Sequence, residues 1–160
     1  MKELMKTNIY DVDETIIIVG SCLKSMQPEG YKKLEKISKN ICDLCLEETH
    51  INMAITKIGG MIRTGKIKNI VFATVDKSPH CIQMHYIQDE LRKMMKIDNI
   101  SIKNYVVVDN ELVEVTPDVI SLSKNLSGLT NIISLSKNLS GLTNKLVWFS
   151  TNTQTTRVIS

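Results

Sequence analysis

Three short runs rich in β-branched residues recur along this chain, and helical spacing fills the gaps between them. Thr15-Ile16-Ile17-Ile18-Val19 ends in Gly20, Lys68–Thr74 reads KNIVFAT, and Ser101–Val108 reads SIKNYVVV. Short apolar runs of this kind suit strands buried on both faces. Strand, helix, strand, helix, strand predicts an α/β domain of three layers with a mostly parallel sheet. The 15–20 and 68–75 strands are expected to be adjacent. Asp109-Asn110 has the character of a tight turn into Glu111–Val115, which predicts a hairpin or edge strand at the end of the sheet.

The helical signals are uneven. Pro28 opens a segment with apolar residues at 34, 37, 41, 44, 51, 55, 58 and 62, spacing that describes one helical face. Gly59-Gly60 is expected to break it, and Thr64-Gly65-Lys66 to turn. Ser78 and Pro79 form a cap-plus-proline start for a second helix, with Met84, Ile87, Leu91 and Met95 as its inner face. Thr116-Pro117 repeats that signal for a third. The expected organisation is an N-terminal arm over 1–14, a domain over 15–127, and a dispensable tail over 128–160. That last region contains most of a duplication: Val119–Asn131 (VISLSKNLSGLTN) returns almost unchanged as Ile132–Asn144. Two copies are too few and too short for a solenoid.

Composition excludes more than it identifies. With 20 Lys+Arg against 17 Asp+Glu the net charge is +3, which gives no bulk signal for nucleic acid or an anionic membrane. No apolar run is long enough for a spanning helix, so the expected location is the cytoplasm, and oligomeric state is left open. In a reducing compartment four cysteines point to metal or redox chemistry, or to small buried hydrophobes, rather than to structural disulfides.

Their positions carry the argument. Cys22 follows the glycine that closes the first strand, and Cys81 follows the second strand. In a parallel sheet both fall at the carboxyl edge, where such folds hold ligands. Cys42 and Cys45 form a Cys-x-x-Cys unit expected within a helix. Taking Ile41 as the centre of the buried stripe puts Cys45 about 40° away and Cys42 about 100° away. Glu48 and Asn52 then fall on the buried face, a costly place for a carboxylate unless it faces a site. The overall pattern, C-x19-C-x2-C-x35-C, matches no common zinc finger or ferredoxin run.

The stretch Ile70-Val71-Phe72-Ala73-Thr74-Val75-Asp76-Lys77-Ser78-Pro79-His80-Cys81, with Val19-Gly20-Ser21-Cys22, resembles small cysteine-containing α/β proteins of anaerobic bacteria described as iron–sulfur or metal binding. The resemblance covers about residues 15–125 and implies a metal site without implying an activity. β-Class carbonic anhydrases also place metal-binding cysteines after strands. Their Cys-x-Asp-x-Arg and His-x-x-Cys motifs are absent here, where Leu23-Lys24-Ser25-Met26 follow Cys22 and His80 adjoins Cys81.

Three functions follow as expectations. The first is a [4Fe–4S] cluster or zinc on Cys22, Cys42, Cys45 and Cys81, with His85 or Glu48 as substitute ligands, in an accessory protein serving a redox partner by electron transfer or redox sensing. The second is a thiol enzyme in which Cys81 is the nucleophile, favoured as a thiolate by its helix N-terminus, with His85 or His80 as base and Asp76 or Glu48 orienting it. The third is a non-catalytic small-ligand module in which the helix N-termini at Pro28 and Ser78 hold an anion or nucleotide, with Lys24, Lys77 and Ser78 as phosphate contacts, although no glycine-rich phosphate motif supports it. His50 is expected to be solvated.

Overall fold

The computed structural model describes residues 1–125, 127–130 and 132. Along the chain the elements are β1 (Lys2–Glu3), a 3-10 turn (Leu4–Lys6), β2 (Glu14–Gly20), α1 (Leu23–Met26), α2 (Pro28–Glu35) and β3 (Ile41–Leu44). Then come α3 (Ile51–Arg63), β4 (Ile67–Val75), α4 (Cys81–Met84), α5 (Ile87–Met94), β5 (Ser101–Val108), β6 (Glu111–Glu114) and α6 (Pro117–Ser123). Met1–Pro117 forms one compact unit, and the described residues from Asp118 onward belong to a second. Most of the duplicated segment and tail lies outside the described residues.

One sheet runs through the first unit in the order β1-β3-β2-β4-β5-β6. β2 pairs in parallel with β4, Ile16 opposite Ile70 and Val19 opposite Ala73, so the two strands expected to be neighbours are neighbours. β3 and β5 extend the parallel sheet to either side, and β6 closes it antiparallel to β5. The Asp109-Asn110 turn takes positive φ at both residues (48° and 63°), the geometry of a tight primed turn.

Alternation along the strands fills two cores. Ile16, Ile18, Ile70 and Phe72 face α3, α4 and α5 through Ile58, Met61, Met84, Ile87 and Leu91. Ile17, Val19, Val71 and Ala73 face Leu23, Tyr31 and Leu34 of α1 and α2. This is the three-layer arrangement, and it is held at one corner by the hairpin turn. Asn110 Oδ1 accepts from the backbone N–H groups of Glu29 (3.1 Å) and Gly30 (3.3 Å), capping the start of α2.

Three local expectations are corrected. The segment from Pro28 is not one helix: α2 stops at Glu35 and Ile41–Leu44 is a strand. Ser38 and Asn40 turn the chain there. The Ser38 hydroxyl donates to Thr15 O (2.8 Å) and accepts from Asn40 N (3.0 Å), side-chain bonds that compete with helix continuation. The arm at 1–14 is packed rather than loose, for β1 pairs with β3 and Leu4 and Val12 are buried. Gly59-Gly60 does not break α3; a Cβ on Gly59 would stand 3.2 Å from Met95 Cε and 3.7 Å from Leu91 Cδ2, so the glycine permits close packing.

Candidate functional site

The chain leaves β2 for β3 on one side and leaves β4 for β5 on the other, so the strand order diverges between β2 and β4. Parallel sheets open a crevice at the carboxyl ends of such a pair. Cys22 follows Ser21 after the end of β2, and Cys81 opens α4 after the loop that leaves β4 at Val75; their sulfurs are 3.9 Å apart, both free thiols. Gly20 makes this approach possible. A Cβ there would lie 2.9 Å from Cys81 Sγ, a separation side chains do not tolerate without movement.

Cys45, just past the end of β3, lines the same cavity of about 220 Å³ together with Ser21, Cys22, His80 and Cys81. At its rim His80 Nδ1 lies 2.6 Å from Glu47 Oε1, with both side chains about half exposed. Ser21 donates to Asp43 Oδ2 (3.1 Å), fixing the β2 turn against β3. Burial, the neighbouring Cys81 sulfur and the hydrogen bond to it push the Cys22 thiol up to about 11. Cys22 therefore keeps its proton at neutral pH.

Cys42 stands elsewhere. It lies mid-strand on β3, opposite Ile18, in the core that faces α3, and 2% of it is exposed. Its sulfur contacts Thr7 Oγ1 at 3.6 Å, and burial pushes its thiol pKa up. The Cys-x-x-Cys unit was expected on a helix, where both sulfurs share a face. On a strand that then ends, Cys42 and Cys45 part company. Glu48 and Asn52 are exposed rather than on a buried face, as is His50. Among the described residues no three His, Cys, Asp or Glu side chains form a group able to hold a metal ion.

The helix expected from Ser78 is two short helices, parted at His85-Tyr86. Ser78 Oγ accepts from Cys81 N at 3.4 Å. A single turn behind Cys81 gives it only a small helix dipole. His85 does not reach a thiol. Its Nε2 lies 2.8 Å from Thr74 Oγ1 and its Nδ1 2.9 Å from Asn104 Oδ1, all three residues buried. Burial holds its pKa below the usual histidine value, so the ring is neutral near pH 7. Asp76 and Lys77 are exposed, and Lys24 Nζ sits 5.3 Å from the Tyr31 ring centre.

Gly20, Glu47, Thr74 and Asn104 were missed by sequence reasoning. Asn104 had a signal: an inward-facing polar residue on a strand whose alternation calls for an apolar one.

These features coincide with a family assignment. The chain belongs to the Rossmann-like domain family, whose model matches residues 12–141. The membership carries the α/β fold and extends neither to iron–sulfur chemistry nor to a source. No curated protein and no solved structure matches the chain. No helix among the described residues is long and apolar enough to cross a membrane.

Proposed function

We propose that this Rossmann-like protein is a redox accessory protein whose working group is the Cys22–Cys81 thiol pair. The observation that carries the reading is the 3.9 Å sulfur separation at the point where the strand order diverges, in a space kept open by Gly20. In the cycle, the Cys81 sulfur attacks one sulfur of a partner's disulfide and the other leaves as a thiolate. Cys22 then loses its proton, attacks the Cys81 sulfur and expels the partner's second thiolate. The chain gives up two electrons and two protons, and the partner's disulfide becomes two thiols. Cys22, held protonated, is the resolving thiol.

Anaerobic titration against glutathione couples, with peptide mapping by mass spectrometry, tests this. One reversible Cys22–Cys81 disulfide is expected, absent in Cys22→Ser and Cys81→Ser and retained in Cys42→Ser. Two thiols that stay free across the titration would overturn it.

A metal-binding reading has one observation in its favour. Two thiolates on one tetrahedral ion, with metal–sulfur bonds near 2.3 Å, stand about 3.8 Å apart. Cys45 lines the same cavity but does not complete a three-ligand group with them. That spacing suits a single zinc or iron ion better than a [4Fe–4S] cluster, in which each iron takes one protein thiolate. Stoichiometric metal in anaerobically isolated protein, lost in Cys22→Ser and Cys81→Ser, would put this reading first.

A further inference from the structure

A second cavity, of about 350 Å³, opens on the other flank of α4, over the ends of β4 and β5. Its walls include Val75, Pro79, Ile82 and Val106, and its polar floor is Thr74 with His85. At its mouth Asp76 and Lys77 carry opposite charges, which gives no net preference for an ion. We propose that this cavity binds a small uncharged molecule through an N–H or O–H donor that bonds to the Thr74 hydroxyl. The proposal uses neither thiol and stands apart from the redox reading.

The ligand class follows from counting protons along the buried chain behind the floor. Asn104 Nδ2 donates to Gln88 Oε1 at 3.1 Å. The Asn104 carbonyl oxygen is thereby the group that faces His85, and it accepts from His85 Nδ1–H at 2.9 Å. A neutral imidazole with its proton on Nδ1 has a bare Nε2. That nitrogen accepts from the Thr74 hydroxyl at 2.8 Å. A hydroxyl has one proton, and this one is committed to His85, so Thr74 has only acceptor capacity left for the cavity. An occupant without a donor would desolvate that lone pair and return nothing, whereas a donor would restore its bond.

The chain ends unevenly, for Gln88 is 1% exposed and its Nε2 has no hydrogen-bond partner among the described residues. Flipping both amides would reverse every bond, leave Gln88 Oε1 unmet instead and free the Thr74 proton for the cavity. The polarity therefore decides which ligands fit, and it can be measured.

Three bicyclic probes separate the cases: indole offers a donor, quinoline an acceptor, and 1-methylindole neither. With the full chain, indole is expected to bind about fivefold or more tightly than either of the others, the worth of one buried neutral hydrogen bond. Thr74→Val should abolish the preference and Thr74→Ser should keep it. Because the valine methyl would press on His85, the ring nitrogen resonances of His85 in the unsubstituted protein provide a second readout. Indole should shift Nε2 while the ring stays neutral, and 1-methylindole should not. Equal binding of indole and 1-methylindole, tighter binding of quinoline, a preference that survives Thr74→Val, or no saturable binding of any probe would each overturn the proposal.

Discussion

Cys42 and Cys81 carry the same side chain and are both more than nine-tenths buried, with 2% and 8% exposed. Their surroundings differ. Cys42 is enclosed mid-strand by apolar neighbours and one threonine hydroxyl. Cys81 lies beyond a strand end, beside a second thiol, on the wall of a cavity. Burial alone therefore does not separate the two. Position along the strand does, because mid-strand side chains are committed to the layer they face and residues past the carboxyl edge are not. Cys42 is expected to behave as a small hydrophobe and Cys81 as half of a pair.

Oxidation tests the contrast with the largest effect. Cys22 and Cys81 are 59 positions apart, and closing a loop of that length removes denatured-state entropy worth about 4 kcal/mol where the native geometry accepts the bond. Oxidised protein should therefore unfold at higher denaturant concentration than reduced protein. Cys42→Ser should retain the difference, and Cys22→Ser should lose it. A difference lost in Cys42→Ser instead would mean that Cys42 supplies a disulfide partner, and the contrast would collapse.

Gly20→Ala comes next. The added methyl would press on Cys81 Sγ from 2.9 Å, and crowding of this kind costs about 1–3 kcal/mol. Its effect should concentrate on the pair: the reduction potential of the Cys22–Cys81 disulfide should shift, while alkylation of Cys42, measured only on unfolding, should not. A fully stable Gly20→Ala protein with an unchanged potential would show that the glycine does not set the sulfur spacing.

The reach of sequence reasoning divides along the same line. The β-branched runs and the Asp109-Asn110 turn were legible because period and turn chemistry are local, and the adjacency of β2 and β4 was expected from the parallel crossover rule rather than from any local spacing. Also legible was the placing of Cys22 and Cys81 at one sheet edge, since both follow strand ends. β3 was not legible. Ile41, Cys42 and Leu44 fit helical spacing from Leu34 and Ile37, and only the Ser38–Asn40 turn and the pairing with β1 and β2 make them a strand. That single misreading carried Cys42 into the expected site and placed Glu48 on a buried face. The Thr74–His85–Asn104 chain was hidden for a different reason. It joins β4, the α4–α5 break and β5, and no local spacing records a contact made by tertiary packing.

The smallest expected effect is at the rim of the thiol cavity. His80 and Glu47 meet at 2.6 Å, but their side chains are 49% and 61% exposed. Solvent screens such a pair, and removing it by His80→Ala should change stability by less than about 0.5 kcal/mol. Access is another matter, because the pair joins the loop after β3 to the residue that precedes Cys81. Alkylation of Cys22 and Cys81 should therefore quicken in His80→Ala, and Glu47→Gln should have the same effect. Cys42, enclosed on the other face of the sheet from α1 and α2, should label no faster in either variant. Because Cys22 gives up its proton only near pH 11, the comparison should be made across a pH series. A faster rate at every pH points to access, whereas a curve displaced along the pH axis points to a changed charge beside the sulfur. If His80→Ala and Glu47→Gln leave the labelling of Cys22 and Cys81 unchanged, the ion pair does not guard the cavity, and access to the pair is set by the walls that Gly20 and α4 provide.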